Sequence, residues 1–179
     1  GNINIATNST FFYEGAAIDI SGNDSLTLTG VNATSVLQGA NNLKIGATGN
    51  LSIGGSIRLN MPIALNGTGT NTIDLNSNTL TYTDASASKI FVSGRTLNIL
   101  GSGNLTNNAT NTLDLSGTSI LNLNGATVAH VRQGTDVDED ATAGKGISSN
   151  SDSTITTLLL DASAALVGTA TTTVTNAFN

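Results

Sequence analysis

The chain has 179 residues, 12 acidic and 6 basic side chains, a net charge of −6, and neither Cys nor Trp. The six basic residues are scattered and aromatics make up 3%, so there is neither the basic stripe nor the stacking platform that nucleic-acid binding requires. Without Cys there is no disulfide framework or thiolate metal site, and no run approaches the ~18 apolar residues of a membrane-spanning helix, so no transmembrane segment is expected.

The chain opens on Gly1-Asn2-Ile3, already in strand pattern, with no initiator Met and no charged leader. It reads as a mature chain or as a piece of something longer. Apolar pairs separated by one residue then recur: Ile3/Ile5, Ile18/Ile20, Leu26/Leu28, Leu43/Ile45, Leu51/Ile53, Ile57/Leu59, Ile63/Leu65, Ile73/Leu75, Leu80/Tyr82, Ile90/Val92, Leu97/Ile99 and Leu113/Leu115. The residue between is usually Asn, Asp, Ser, Thr or Lys. A period of two buries one face and wets the other, so each pair predicts a short strand. No stretch holds a helical period. Between the pairs stand Ser21-Gly22-Asn23, Gly46 to Asn50, Gly54-Gly55, Asn66 to Gly69 and Gly101 to Asn104. Gly and Asn tolerate positive φ and turn a chain within two or three residues.

Two regions depart from this rhythm. Residues 7–15, TNSTFFYEG, place Phe11, Phe12 and Tyr13 in a row. They predict a cap on the core, with an exposed contact surface as the alternative. Residues 133–153 hold Asp136, Asp138, Glu139 and Asp140 and few apolar side chains, which predicts an acidic loop thrown out from the body. Beyond it the pattern weakens into a Thr- and Ala-rich tail.

Three phrases repeat: Ala17-Ile18-Asp19-Ile20, Thr72-Ile73-Asp74-Leu75 and Thr112-Leu113-Asp114-Leu115, at offsets of about 55 and 40 residues. Fixed offsets mark stacked units that cannot bury their apolar face alone. The expectation is all-β: a single-domain parallel β-helix (β-solenoid) over residues 1–179, with about 18–20 residues per coil and about nine coils. The phrases around Ile73 and Leu113 would then be equivalent sides two coils apart. Chirality rules for parallel crossovers favour a right-handed coil.

The texture of residues 17–128, with its phrases of the type Asn-Thr-[Ile/Leu]-Asp-Leu, resembles passenger domains of bacterial autotransporters (type V secretion). It is similar to the surface antigens of rickettsia-like bacteria and fusobacteria. The resemblance implies a right-handed parallel β-helix carried through the outer membrane and displayed extracellularly on the bacterial cell surface. It carries over no protease motif.

The chemistry-bearing residues are few. Asp19, Asp74 and Asp114 share one alternation phase, as an outward carboxylate row of a polysaccharide-cleaving β-helix would. Acid pairs that cleave glycosides stand ~5–9.5 Å apart. Two coils separate residues by about 10 Å, so isolated charges that discourage sheet-to-sheet association are the favoured reading. Asp136, Asp138 and Asp140 resemble the start of a calcium loop, but Ala141 and Ile147 stand where an EF-hand needs Gly and Glu. A looser oxygen cage for calcium is the remaining cofactor expectation, against a solvated acidic loop. His130 is the only His; with Val128 and Arg132 it shares an alternation face and has no evident catalytic partner.

These readings converge on a non-enzymatic extracellular protein, an adhesin, scaffold or coat, whose partners are a host surface, extracellular matrix or glycans. Two alternatives stand beside it: a filament or surface-layer subunit that self-associates through strand edges, and a polysaccharide lyase or hydrolase of β-helix type.

Overall fold

The computed structural model describes residues 1–83, 89–108, 110–117, 119–133, 146–160 and 166–178. They form a stack of parallel strands with no helix, a β-solenoid with three sides. The first side is built from β1 (Asn2–Asn4), β4 (Ser25–Thr29), β7 (Asn50–Gly55), β10 (Thr70–Asp74), β13 (Thr96–Leu100), β16 (Ile120–Asn124), β18 (Gly146–Ser151) and β20 (Leu166–Gly168). The second is built from β2 (Thr10–Tyr13), β5 (Val36–Gly39), β8 (Ile57–Asn60), β11 (Thr79–Tyr82), β14 (Asn104–Thr106), β17 (Thr127–Gln133), β19 (Ser153–Leu160) and β21 (Thr172–Phe178). The third begins with β3 (Ile18–Ile20), β6 (Leu43–Ile45) and β9 (Ile63–Leu65), continues against β12 (Ile90–Ser93), and then runs into β15 (Leu113–Ser116).

From β17 upward a single strand serves two sides. Thr127 and Val128 pair with β14, while Val131 to Gln133 pair with β15. The burial phase slips at Ala129-His130, where the strand turns the corner.

The sequence predicts the inner columns well. Leu26, Leu51, Ile73, Ile99 and Leu123 lie one above another, all buried. Leu80, Leu105, Val128 and Ile155 form the second side's column, and Leu113, Val131 and Leu158 the third's. Each buried aliphatic side chain is worth about 1.5–3 kcal/mol relative to exposure, which is why these short strands hold without a staple. One coil can be measured between stacked partners: Asn122, hydrogen-bonded to Asn98 on the strand below, follows it by 24 residues. The coil is therefore larger than the sequence repeats suggest, and the coils are fewer. A minority of steps have the expected size, as between the paired residues Leu43 and Ile63, Leu113 and Val131, and Ile147 and Leu166.

The larger coil also corrects the repeat argument. Ile73 sits on the first side in β10 and Leu113 on the third in β15, so the two phrases are not equivalent positions two coils apart. Every side needs the same inward–outward–inward triplet, so the phrase recurs on all sides. Dividing the offsets between sides by whole coils yields a period that is too short.

The expected loop at 133–153 is narrower on its far side. Gly146–Ser151 is strand β18, with Ile147 buried, and β19 begins at Ser153. The tail continues the stack through β19 to β21.

Turns fall where Gly and Asn predict them. Gly22, Gly67, Gly69 and Gly101 have positive φ, as do the non-glycine residues Thr48 and Asn76. Gly101 (φ 82°) stacks on Asn76, whose carbonyl oxygen would stand 2.3 Å from an added Cβ.

Candidate functional site

The outward column of the third side gathers the residues that the sequence marks for chemistry. From the lowest coil it runs Asp19, Lys44, Ala64, then Phe91, Asp114, Arg132, Leu159 and Phe178. Asp19 and Asp114 share this column, four strand steps apart, which is roughly 19 Å at the spacing between parallel strands. Asp74 lies on the first side instead. The carboxylate row is therefore dispersed: Asp19 and Asp114 stand well beyond the ~5–9.5 Å that paired glycosidase carboxylates need, and Asp74 is on a different side.

Asp74 and Asp114 each have a local structural use. Asp74 ends β10 and its Oδ1 accepts a hydrogen bond from the Asn76 amide at 2.9 Å, setting the turn that Gly101 covers. Asp114 Oδ2 meets Lys89 Nζ at 3.0 Å, and its Oδ1 is buried without a hydrogen-bond partner. Lys44 is the register partner of Asp19 on the next strand, with no ion pair between them. An ion pair between neighbouring strands such as Lys89–Asp114 contributes a few tenths of a kcal/mol to about 1 kcal/mol.

His130 does not share a face with Val128, because the phase slips between them: Val128 is fully buried and His130 half-buried at the corner. The backbone of His130 is clamped by buried Asn107. Asn107 Oδ1 accepts from the His130 amide at 2.9 Å, and its Nδ2 donates to the His130 carbonyl at 2.8 Å. The His130 Nδ1 has no hydrogen-bond partner.

Asn71 marks another corner. It is fully buried in β10, and its Nδ2 donates to the carbonyls of Ile45 (2.8 Å) and Gly46 (2.7 Å). These inward Asn residues sit among aliphatic positions. An Asn at an inward position beside a turn, just after one for Asn71 and just before one for Asn107, is the signal that could have located them.

The aromatic run splits by alternation. Phe11 continues the column of Leu37, and Phe12 lies beside Gln38, outward. Phe11 is 46% exposed because β2 has a neighbour on one edge only, and Phe12 is 63% exposed. Tyr13 packs on the core edge and donates its hydroxyl hydrogen to the Ala17 carbonyl at 3.0 Å. Asp136, Asp138 and Asp140, the calcium candidates, lie outside the described residues. Among the described residues no group of three or more His, Asp or Glu side chains is placed to hold a metal ion.

What the geometry offers is therefore surface: three parallel sheets with outward Thr, Ser and Asn. No protein-family model matches the chain, and neither does any curated protein or solved structure.

Proposed function

We propose that this chain is a non-enzymatic extracellular protein, a rigid segment of an autotransporter-type passenger serving as adhesin, scaffold or coat. The observation that carries this reading is the division of labour between its two surfaces. Aliphatic columns run up the inside, while the outward positions of the same strands carry mostly small uncharged polar side chains. A long, flat, charge-poor exterior contributes little binding energy at any one point and gains it by summing over area. Two of the three acids that could have suggested glycoside cleavage are engaged elsewhere, Asp74 in a turn and Asp114 in an ion pair with Lys89. Antibody labelling of intact source cells tests the location. Signal on unpermeabilised cells is expected, and signal only after permeabilisation would overturn it. Binding of the purified chain to extracellular-matrix proteins or glycans is the test of the adhesin role.

A second reading, self-association through strand edges, is favoured by one observation. Among the described strands, β1, β2 and β3 pair on one edge only, as do β20 and β21. Each rim of the stack thus presents unpaired backbone groups to the next coil, whether that coil belongs to the same polypeptide or to another. Electron microscopy of the purified chain at increasing concentration distinguishes fibres from monomers.

A further inference from the structure

The second side carries a two-dimensional array of threonines. Five successive strands cross it in phrases of the form outward–inward–outward: TLT from Thr79, NLT from Asn104, TVA from Thr127, TIT from Thr154 and TVT from Thr173. Thr79, Asn104, Thr127, Thr154 and Thr173 are consecutive register partners. Thr81 and Thr106 are also partners, and the same offsets continue this second column through Ala129, Thr156 and Thr175. The central residues Leu80, Leu105, Val128, Ile155 and Val174 point into the core, so the flanking ones point out. Eight of the ten outward positions are Thr, against 28 of 179 in the whole chain. None of the ten is charged.

Three features separate this array from an ordinary polar sheet face. The strand pairs that build it show no register shift, whereas the first side is broken by bulges at Leu28/Thr29 and Leu123/Asn124. Among the described residues its hydroxyls have no hydrogen-bond partner within the protein. On the first side, by contrast, Asn122 Nδ2 donates to Asn98 Oδ1 at 2.9 Å and Asn76 Nδ2 to Ser52 Oγ at 3.2 Å. Finally, Thr is stiff at χ1, so a ladder of Thr holds its methyl and hydroxyl groups at fixed places.

Where the strands run straight the net is rectangular, with about 4.8 Å between neighbouring strands and roughly 6.6 Å between outward residues along a strand. Ala129, Thr156 and Thr175 lie at its edge, where the strands begin to turn the corner. Methyl groups on such a net cage water, and the hydroxyls anchor the caged layer in register with the net. A charged side chain would orient water radially and spoil that layer. Ice is a solid that presents oxygens in a net of comparable size and shape. We propose that the threonine array on β11, β14, β17, β19 and β21 is an ice-binding surface. This rests on the fold alone and not on the adhesin reading, although an adhesin whose ligand is ice would satisfy both.

The test uses the whole purified chain in a nanolitre osmometer, measuring crystal shape and the gap between melting and freezing points. The wild type is expected to facet ice crystals and open a freezing gap. Thr127→Tyr and, independently, Thr154→Tyr, at the centre of the array, are expected to lose most of that gap. Thr27→Tyr, outward on the first side, is expected to keep it. Circular dichroism and melting curves establish that each variant is folded, and Thr106→Tyr, at an exposed site, replaces either central variant if that one does not fold. Smooth, disc-shaped crystals with no gap in the wild type would overturn the proposal. Equal losses in the array and first-side variants would overturn it as well. Retention on crystalline cellulose without any effect on ice would reassign the array to polysaccharide and overturn it too.

Discussion

The buried side-chain amide of Asn107 grips both backbone groups of His130, accepting from its N–H at 2.9 Å and donating to its carbonyl at 2.8 Å. This pairing is what lets β17 turn from the second side to the third without leaving peptide groups orphaned inside the wall. A strand that bends around a corner loses ladder partners there, and an inward amide supplies one donor and one acceptor in their place.

Asn107→Leu should therefore destabilise the protein well beyond the loss of one hydrogen bond. Both His130 groups would lose their partner in a part-buried setting, costing about 1–3 kcal/mol each at most. Urea melts followed by circular dichroism would check this. His130→Ala keeps the backbone clamp and should cost far less.

Gln133 makes the opposite case. It is fully buried between Leu115 and Leu160 in its column, and neither its Oε1 nor its Nε2 has a hydrogen-bond partner. Gln133→Leu should stabilise the fold by about 1–3 kcal/mol, because it removes an unsatisfied buried amide at nearly constant volume. A rise in the denaturation midpoint with an unchanged slope is the expected signature.

Gly101→Ala should be damaging out of proportion to one methyl group. The position has φ 82°, and the added Cβ would stand 2.3 Å from the Asn76 carbonyl oxygen. A loss of more than about 1 kcal/mol is expected, read as a lower melting temperature. Gly94→Ala has a positive φ of 61° but open space around it, so it isolates the backbone part of the penalty.

Lys89→Met should change little. Lys89 is 32% exposed beside Asp114 at 14%, and a surface ion pair of this kind is worth about 0.2–1 kcal/mol before screening. The effect should shrink further at high salt, where surface charges are screened. A loss of several kcal/mol would mean that Asp114 is held in a far drier setting than its partner's exposure indicates.

The strands and their buried residues were legible because each apolar pair is a complete local instruction: Leu51 and Ile53 bury, Ser52 does not. The size of the coil was not, since Ile73 carries on the first side the same phrase that Ile18 and Leu113 carry on the third, and nothing local distinguishes one side from another. Corners were also illegible. Val128, His130 and Arg132 look like one alternating face until β17 bends between them. The threonine array escaped for a related reason. Its rows are each a whole coil apart in the chain, and only the true register brings Thr127 over Asn104 and under Thr154.

Each strand of the stack is held by the coils directly above and below it, and by little else. Under tension such a molecule should come apart like a ball of yarn unwinding, one loop at a time from a rim. A loop such as Asn98 to Asn122, a span of 24 residues, would release about 80 Å of slack at ~3.4 Å per residue. The remaining loops would keep their grip, so the tube can yield in instalments and survive a pull that would empty an ordinary domain in one event.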